Sequence, residues 1–139
     1  MNIGILGTGA VGRALGTGFA DAGDDVMMGA RDAKNAKARA WVAATGRRAS
    51  AGTFGQAAEF GDVIVLATLW SGTENAIKLA RPQVIAEKIV LDVTNPIVFT
   101  ANAPPVLALG LENQFNRGVH CVGLVKGRES CRSYGVARR

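Results

Sequence analysis

Asn2-Ile3-Gly4-Ile5-Leu6 runs straight into Gly7-Thr8-Gly9-Ala10-Val11-Gly12, and that junction decides the fold. The apolar run closed by a glycine predicts a strand. Beyond it Val11, Ala14, Leu15, Phe19 and Ala22 recur at helical spacing, and Gly23 stops the helix. Asp25-Val26-Met27-Met28 then predicts a second strand. A G-x-G-x-x-G string alone is weak. Between a strand and a helix, inside a βαβ unit of about 30 residues, it signals a dinucleotide loop. Gly7 permits the tight turn, Gly9 lets backbone approach a pyrophosphate, and Gly12 lets the helix pack on the strand. The helix N-terminus then offers unpaired N–H groups and a partial positive charge to phosphates. The plainer alternative is a glycine-rich turn that only connects strand to helix.

The end of the second strand selects the dinucleotide. An NAD site places Asp or Glu there, to accept from the ribose 2′-hydroxyl. This chain has Gly29-Ala30-Arg31 instead, with Lys34 one turn further on. A guanidinium fork suits a 2′-phosphate, which a carboxylate would repel. The pattern therefore favours NADP(H). Asp32 is expected to cap a helix running to about Thr45, closed by Gly46. On the plainer reading Arg31 and Lys34 simply begin a solvated basic helix.

Further along, Arg48–Ala51 suggests a short third strand. Thr53-Phe54-Gly55-Gln56 has the form of a capping box and opens a helix to about Phe60. Asp62–Ala67 is an apolar, β-branched run typical of a buried strand. Ser71-Gly72-Thr73-Glu74 predicts a second capping box, on a helix that ends before Pro82. Lys88–Val93 is the last clear strand. Continuously apolar strands alternating with helices specify a parallel sheet covered on both faces: an α/β, Rossmann-like doubly wound domain of five to six strands. In such sheets the ligand crevice lies beyond the carboxyl ends of the strands. Thr68-Leu69-Trp70 and Thr94-Asn95-Pro96 stand at two such ends. Trp70 is suited to wall a nicotinamide, or to act as an apolar lid. Asn95 is suited to hydrogen-bond a ribose or carboxamide, although Asn95-Pro96 is also a good turn by itself.

Composition adds limits. The chain has 139 residues, 48% of them apolar, which suits one domain with a real core. No unbroken apolar stretch is longer than that of Val63–Ala67, far short of the ~20 residues of a membrane-spanning helix. No signal peptide is read at the N-terminus, and two cysteines make no disulfide framework, so a cytoplasmic protein is expected. Residues 1–112 hold ten Lys/Arg and ten Asp/Glu, whereas residues 113–139 hold six Lys/Arg against Glu129 alone. The whole net charge of +5 therefore lies in the last 27 residues, with Cys121, Cys131, His120 and Tyr134. That step places a boundary near residue 112, between the nucleotide-binding domain and a basic tail. Nucleic-acid binding by the tail is disfavoured by its few aromatics, Phe115 and Tyr134, and by its lack of a basic run longer than two. Cys121 and Cys131 have no zinc spacing, and no metal ligands are assigned. Val119–Val125 is suited to one more strand. His120 and Cys121, adjacent on it, would point to opposite faces and make no catalytic pair.

With Ile5–Gly12, Gly29-Ala30-Arg31, Trp70 and Asp92-Val93-Thr94-Asn95-Pro96 together, the chain resembles the N-terminal domain of the NADPH-dependent reductases of coenzyme F420, a deazaflavin. It is also similar to the reductase domains of the STEAP group. The resemblance spans about residues 2–100. It implies hydride exchange between NADPH and a flavin-like ring, with the protein mainly orienting the pair and no catalytic acid or base assigned. Carried over by position, Thr8, Gly9, Ala10 and Val11 meet the pyrophosphate and Arg31 the 2′-phosphate. Trp70, Asn95 and Pro96 border the nicotinamide. Family members usually have Ser at the position of Ala30, and a Lys one place beyond Lys34. They also continue with a sixth strand and an acceptor-site segment that nothing after residue 112 resembles, so a shortened or altered ending is expected.

Two readings follow. One is an NADP(H)-dependent oxidoreductase acting on coenzyme F420 or a flavin. The other is an NADP-binding module without its own catalysis, an incomplete enzyme or a sensor subunit. Dehydrogenases of this type that act on sugar acids or pyrroline carboxylate use a C-terminal helical domain for which this chain has no room. An edge strand and an exposed crevice invite pairing into a homo-oligomer.

Overall fold

Strand and helix alternate as the apolar runs require: β1 (Asn2–Leu6), α1 (Ala10–Asp21), β2 (Asp25–Ala30), α2 (Ala36–Thr45), β3 (Ala49–Thr53) and α3 (Phe54–Phe60) form the first half. Then come β4 (Val63–Leu66), α4 (Trp70–Ala80), α5 (Pro82–Ile85), β5 (Ile89–Asp92), β6 (Ile97–Val98) and β7 (Val106–Leu107). The structure, a computed structural model, describes residues 1–99, 101 and 104–107. The boundary near 112, the basic tail and the strand expected over Val119–Val125 lie outside the described residues.

Five strands pair in parallel in the order β3-β2-β1-β4-β5, the doubly wound arrangement. Its switch point falls between β1 and β4, from which the chain winds in opposite directions. The antiparallel pair β6–β7 forms a separate ribbon. Side chains alternate across the sheet, so β1 feeds two cores. Ile3 and Ile5 join Val26, Met28, Val65 and Trp41 beneath α1 and α2. Leu6 joins Ile64, Leu66, Phe54, Ala57 and Ile77 beneath α3 and α4. Each fully buried aliphatic side chain contributes about 1.5–3 kcal/mol, which favours the alternation.

The two faces pack differently. On the first, Trp41 is 5% exposed and lies over Gly16, while its indole N–H donates to the Thr17 hydroxyl at 3.1 Å. On the second, α3 sits directly on the strand backbone. A β-carbon at Gly4 would stand 2.1 Å from the Ala57 carbonyl oxygen, so glycine there is a steric requirement. Lys88, at the threshold of β5, donates to the carbonyls of Ala58 (2.7 Å), Glu59 (3.2 Å) and Gly61 (2.7 Å). Its three N–H bonds thus satisfy the orphan carbonyls at the C-terminal end of α3.

Several local expectations need correction. The cap of α2 is Asn35, whose side chain accepts the Ala38 N–H at 3.1 Å, not Asp32. The Asp32 carboxylate instead accepts the Lys34 N–H at 2.9 Å and closes a turn. Arg31 and Lys34 therefore precede the helix rather than beginning it. The Thr53–Gln56 capping box forms with both of its hydrogen bonds. The second box does not: α4 starts at Trp70, one residue before Ser71, with no side-chain cap. The third strand is displaced one to two residues toward Thr53. Among the described residues β5 is one of the two edge strands, and Ile89 (71%), Val90 (40%) and Leu91 (44%) are exposed on it.

Two substitutions test this packing. Gly4→Ala is expected to cost at least about 2 kcal/mol in chemical denaturation, because backbone must move to admit the methyl. Lys88→Met should cost about 1–2 kcal/mol by stranding three carbonyls, without changing the far-ultraviolet dichroism of the folded chain.

Candidate functional site

At the carboxyl end of β1 the backbone turns at Gly7, whose φ of +138° lies in the region that favours glycine. A β-carbon at Gly7 would also stand 2.2 Å from the Ala67 carbonyl, so the exits of β1 and β4 abut at this residue. Gly12 is similarly constrained, its missing β-carbon 2.7 Å from the Gly7 carbonyl oxygen. Both glycines are demanded by the fold. Gly9 is not. It is exposed, its φ and ψ of −72° and 179° suit any residue, and nothing lies within 4 Å of where its β-carbon would be. The chain leaves space there that it does not itself use.

Gly9 is the N-cap of α1 and gives no side-chain cap, and no acidic residue occupies the first turn. The first ladder bond runs from the Arg13 N–H to the Gly9 carbonyl. The N–H groups of Ala10, Val11 and Gly12 therefore stand outside the i→i−4 ladder, at the positive end of a 12-residue helix. Thr8, half-buried, completes the rim, and Ala10 and Val11 are exposed on it. The arrangement suits an anion.

The neighbouring strand end brings Ala30, 3% exposed, and then Arg31, which is exposed. Neither the Arg31 guanidinium nor the Lys34 ammonium has a hydrogen-bond or ion-pair partner among the described residues. Asp32, the nearest carboxylate in sequence, is engaged by the Lys34 backbone N–H. Two unpaired cations thus stand near the strand end where a 2′-phosphate reader is expected. A cavity of about 430 Å³ adjoins Arg31, lined also by Thr53, Phe54, Leu79 and Arg81 among others.

On the other side of the crevice Thr68 is half-buried, and its hydroxyl lies 2.8 Å from that of Thr73. Thr73 donates its own proton to the Leu69 carbonyl at 3.1 Å. The shared proton must then come from Thr68, which leaves Thr68 only an acceptor to offer a ligand. Trp70 is the first residue of α4 and half-buried, on a helix rather than on the loop expected. Beyond β5, the Asn95 carbonyl accepts the Ile97 N–H at 2.7 Å, which leaves the exposed amide side chain out of the turn. Pro96 is buried. Sequence reasoning did not single out Thr94. Its hydroxyl oxygen is buried with no hydrogen-bond partner among the described residues, and no local pattern signals this.

Among the described residues two ionisations are shifted, both in surface pairs. The hydrogen bond to Asp24 raises the pKa of the Met1 ammonium, and the hydrogen bond to Lys78 lowers that of the Glu74 carboxyl. Among the described residues no cluster of His, Cys, Asp and Glu could hold a metal ion, and no helix is long and apolar enough to cross a membrane.

A family model described as NADP oxidoreductase, coenzyme F420-dependent, matches residues 2–96. Among solved structures, a protein of Arthrobacter sp. FB24 provisionally assigned as an F420-dependent NADP reductase is 30% identical, with a TM-score of 0.69. The match covers 77% of this chain and 51% of that one. Streptomyces aurantiacus imine reductase is 21% identical with a TM-score of 0.56, over 68% of this chain and 32% of its own. Plasmodium falciparum pyrroline carboxylate reductase, solved with NADP bound, is 18% identical with a TM-score of 0.52, over 70% and 34%. These last two likenesses concern the fold. The chain spans about half the length of the first of these proteins and about a third of the others. No curated protein matches.

Gly9 supplies the decisive test of the loop. Gly9→Val is expected to leave the melting temperature within a few degrees of the parent, since nothing surrounds the new side chain. The same change should abolish dinucleotide binding in a calorimetric titration by filling the space a pyrophosphate needs. Unchanged affinity would remove the loop from the site.

Proposed function

Because the chain belongs to the family of coenzyme F420-dependent NADP oxidoreductases, we propose that it binds NADP(H) across residues 7–12 and exchanges hydride with a deazaflavin or flavin acceptor. The observation that carries this reading is the open space at Gly9 on the uncapped end of α1, with the unpartnered Arg31 at the next strand end. The residues present fit the cofactor. A diphosphate needs N–H donors and a backbone that can be approached, and the loop offers both. A 2′-phosphate needs a cation not already neutralised, and Arg31 and Lys34 are two such groups.

In this reading each residue has a limited task. Gly9, Ala10 and Val11 orient the diphosphate, with Thr8 at the rim and Gly7 and Gly12 holding the turn. Arg31 and Lys34 hold the 2′-phosphate, beside the small side chain of Ala30. Thr68 accepts a hydrogen bond, Trp70 and Pro96 exclude water from the nicotinamide side, and Asn95 offers its amide to ribose or carboxamide. NADPH, when bound, supplies a hydride from its nicotinamide ring. Direct transfer requires no acid or base from the protein, so its contribution is positioning.

Calorimetric titration of the full chain with NADPH and with NADH tests the cofactor, and turnover of NADPH with coenzyme F420 or flavin mononucleotide tests the acceptor. NADPH is expected to bind the more tightly. Arg31→Glu should weaken NADPH at least about tenfold more than NADH, by setting like charge against the 2′-phosphate. Equal losses would show that Arg31 does not read the phosphate. Binding without turnover on either acceptor would assign the chain to a dinucleotide-binding module.

A further inference from the structure

The cavity of about 430 Å³ beside Arg31 holds two guanidinium groups in opposite electrical situations. Arg31 has no partner among the described residues. Arg81 is paired with the Glu59 carboxylate and remains 48% exposed. A cation already matched by a carboxylate presents little net charge to a phosphate. It keeps, however, a flat and weakly hydrated face that stacks well on an aromatic ring.

The corner that delivers Arg81 is rigid. Arg81 is the one non-glycine residue of positive φ, 64°, among the described residues, set between α4 and α5 and followed by Pro82. Its N–H donates to the Lys78 carbonyl, and its own carbonyl accepts the Val84 N–H. Such a conformation persists only where the surroundings over-determine it, and here it brings the guanidinium onto Glu59 at the cavity wall. Thr53 and Gln56 also line the cavity, but they satisfy each other's backbone in the capping box. Ala30, Phe54 and Leu79 make the remaining wall apolar. An apolar slot with one fixed planar cation suits a purine better than a second phosphate, and its volume lies within the usual range of ligand sites.

We infer that Arg81, oriented by Glu59, stacks on the adenine of the dinucleotide, so that this cavity receives the purine while Arg31 takes the 2′-phosphate. The inference rests on the NADP(H) reading of residues 7–12 and 31. Calorimetric titration of the full chain with NADPH, NADH and adenosine 5′-monophosphate tests it. Arg81→Gly removes the guanidinium and relieves the positive φ. It should weaken all three ligands by a common factor of about three to ten, with the melting temperature held or raised. Arg81→Lys keeps the charge without the plane and should lose nearly as much, whereas Arg31→Gln should weaken NADPH alone. A loss confined to NADPH in Arg81→Gly would make Arg81 a phosphate reader and overturn the inference. Unchanged affinities in the folded variant, or full retention by Arg81→Lys, would overturn it equally. If the unaltered chain binds none of the three, the cofactor reading itself fails and this inference falls with it.

Discussion

The Ala57 carbonyl oxygen lies only 2.1 Å from where a β-carbon of Gly4 would be, and the layout of one whole side of the sheet depends on that approach. With α3 resting on strand backbone, its start at Phe54 falls beside Ala30 and Arg31 and lines the same cavity. Its C-terminal carbonyls reach Lys88, which fixes the beginning of β5. Its Glu59 meets Arg81 and so positions the corner between α4 and α5. Hydrophobic burial drives the helix onto the sheet without choosing a depth. Steric exclusion at one glycine chooses it. A larger residue at that point would lift the helix, and the cavity wall, the β5 entry and the Arg81 corner would all lose their reference.

The opposite face uses a different device, a single large side chain. Trp41 covers Gly16, shares a buried cluster with Ile5 and hydrogen-bonds Thr17, which clamps α2 to α1. Neither face supplies the chemistry of the crevice. That comes from the strand exits, where the backbone N–H groups of α1 are fixed before any ligand arrives and the Arg31 and Lys34 side chains stand exposed beside them. Backbone groups fixed in advance lose little conformational entropy when an anion binds.

Much of this was legible because it is local. The strand, glycine loop and helix over residues 2–22, and the capping box at Thr53 and Gln56, are set by neighbours within a few positions, and they stand where the pattern put them. Asp32 and Asn35 show the limit. Both are good caps three residues apart, and the choice falls to Asn35, the start that lets Ala38 and Trp41 reach the core. Ser71 failed for a similar reason: α4 begins directly at Trp70, and Thr73 satisfies the Leu69 carbonyl. The contacts of Lys88 with α3 and of Arg81 with Glu59 join residues more than 20 positions apart, which no periodicity encodes. The positive φ at Arg81 was equally hidden, because nothing in an Ala-Arg-Pro string calls for it.

The outer strand carries a consequence of its own. Ile89, Val90 and Leu91 are consecutive, so their side chains alternate between the two faces of the sheet, yet all three are exposed. One further strand laid along this edge would satisfy its free backbone groups and leave both apolar faces wet. Hiding all three residues takes material above the sheet, below it and beside it at once. Among the described residues the edge offers a ready ladder and a greasy surface together, the combination that draws concentrated or partly folded chains into one another.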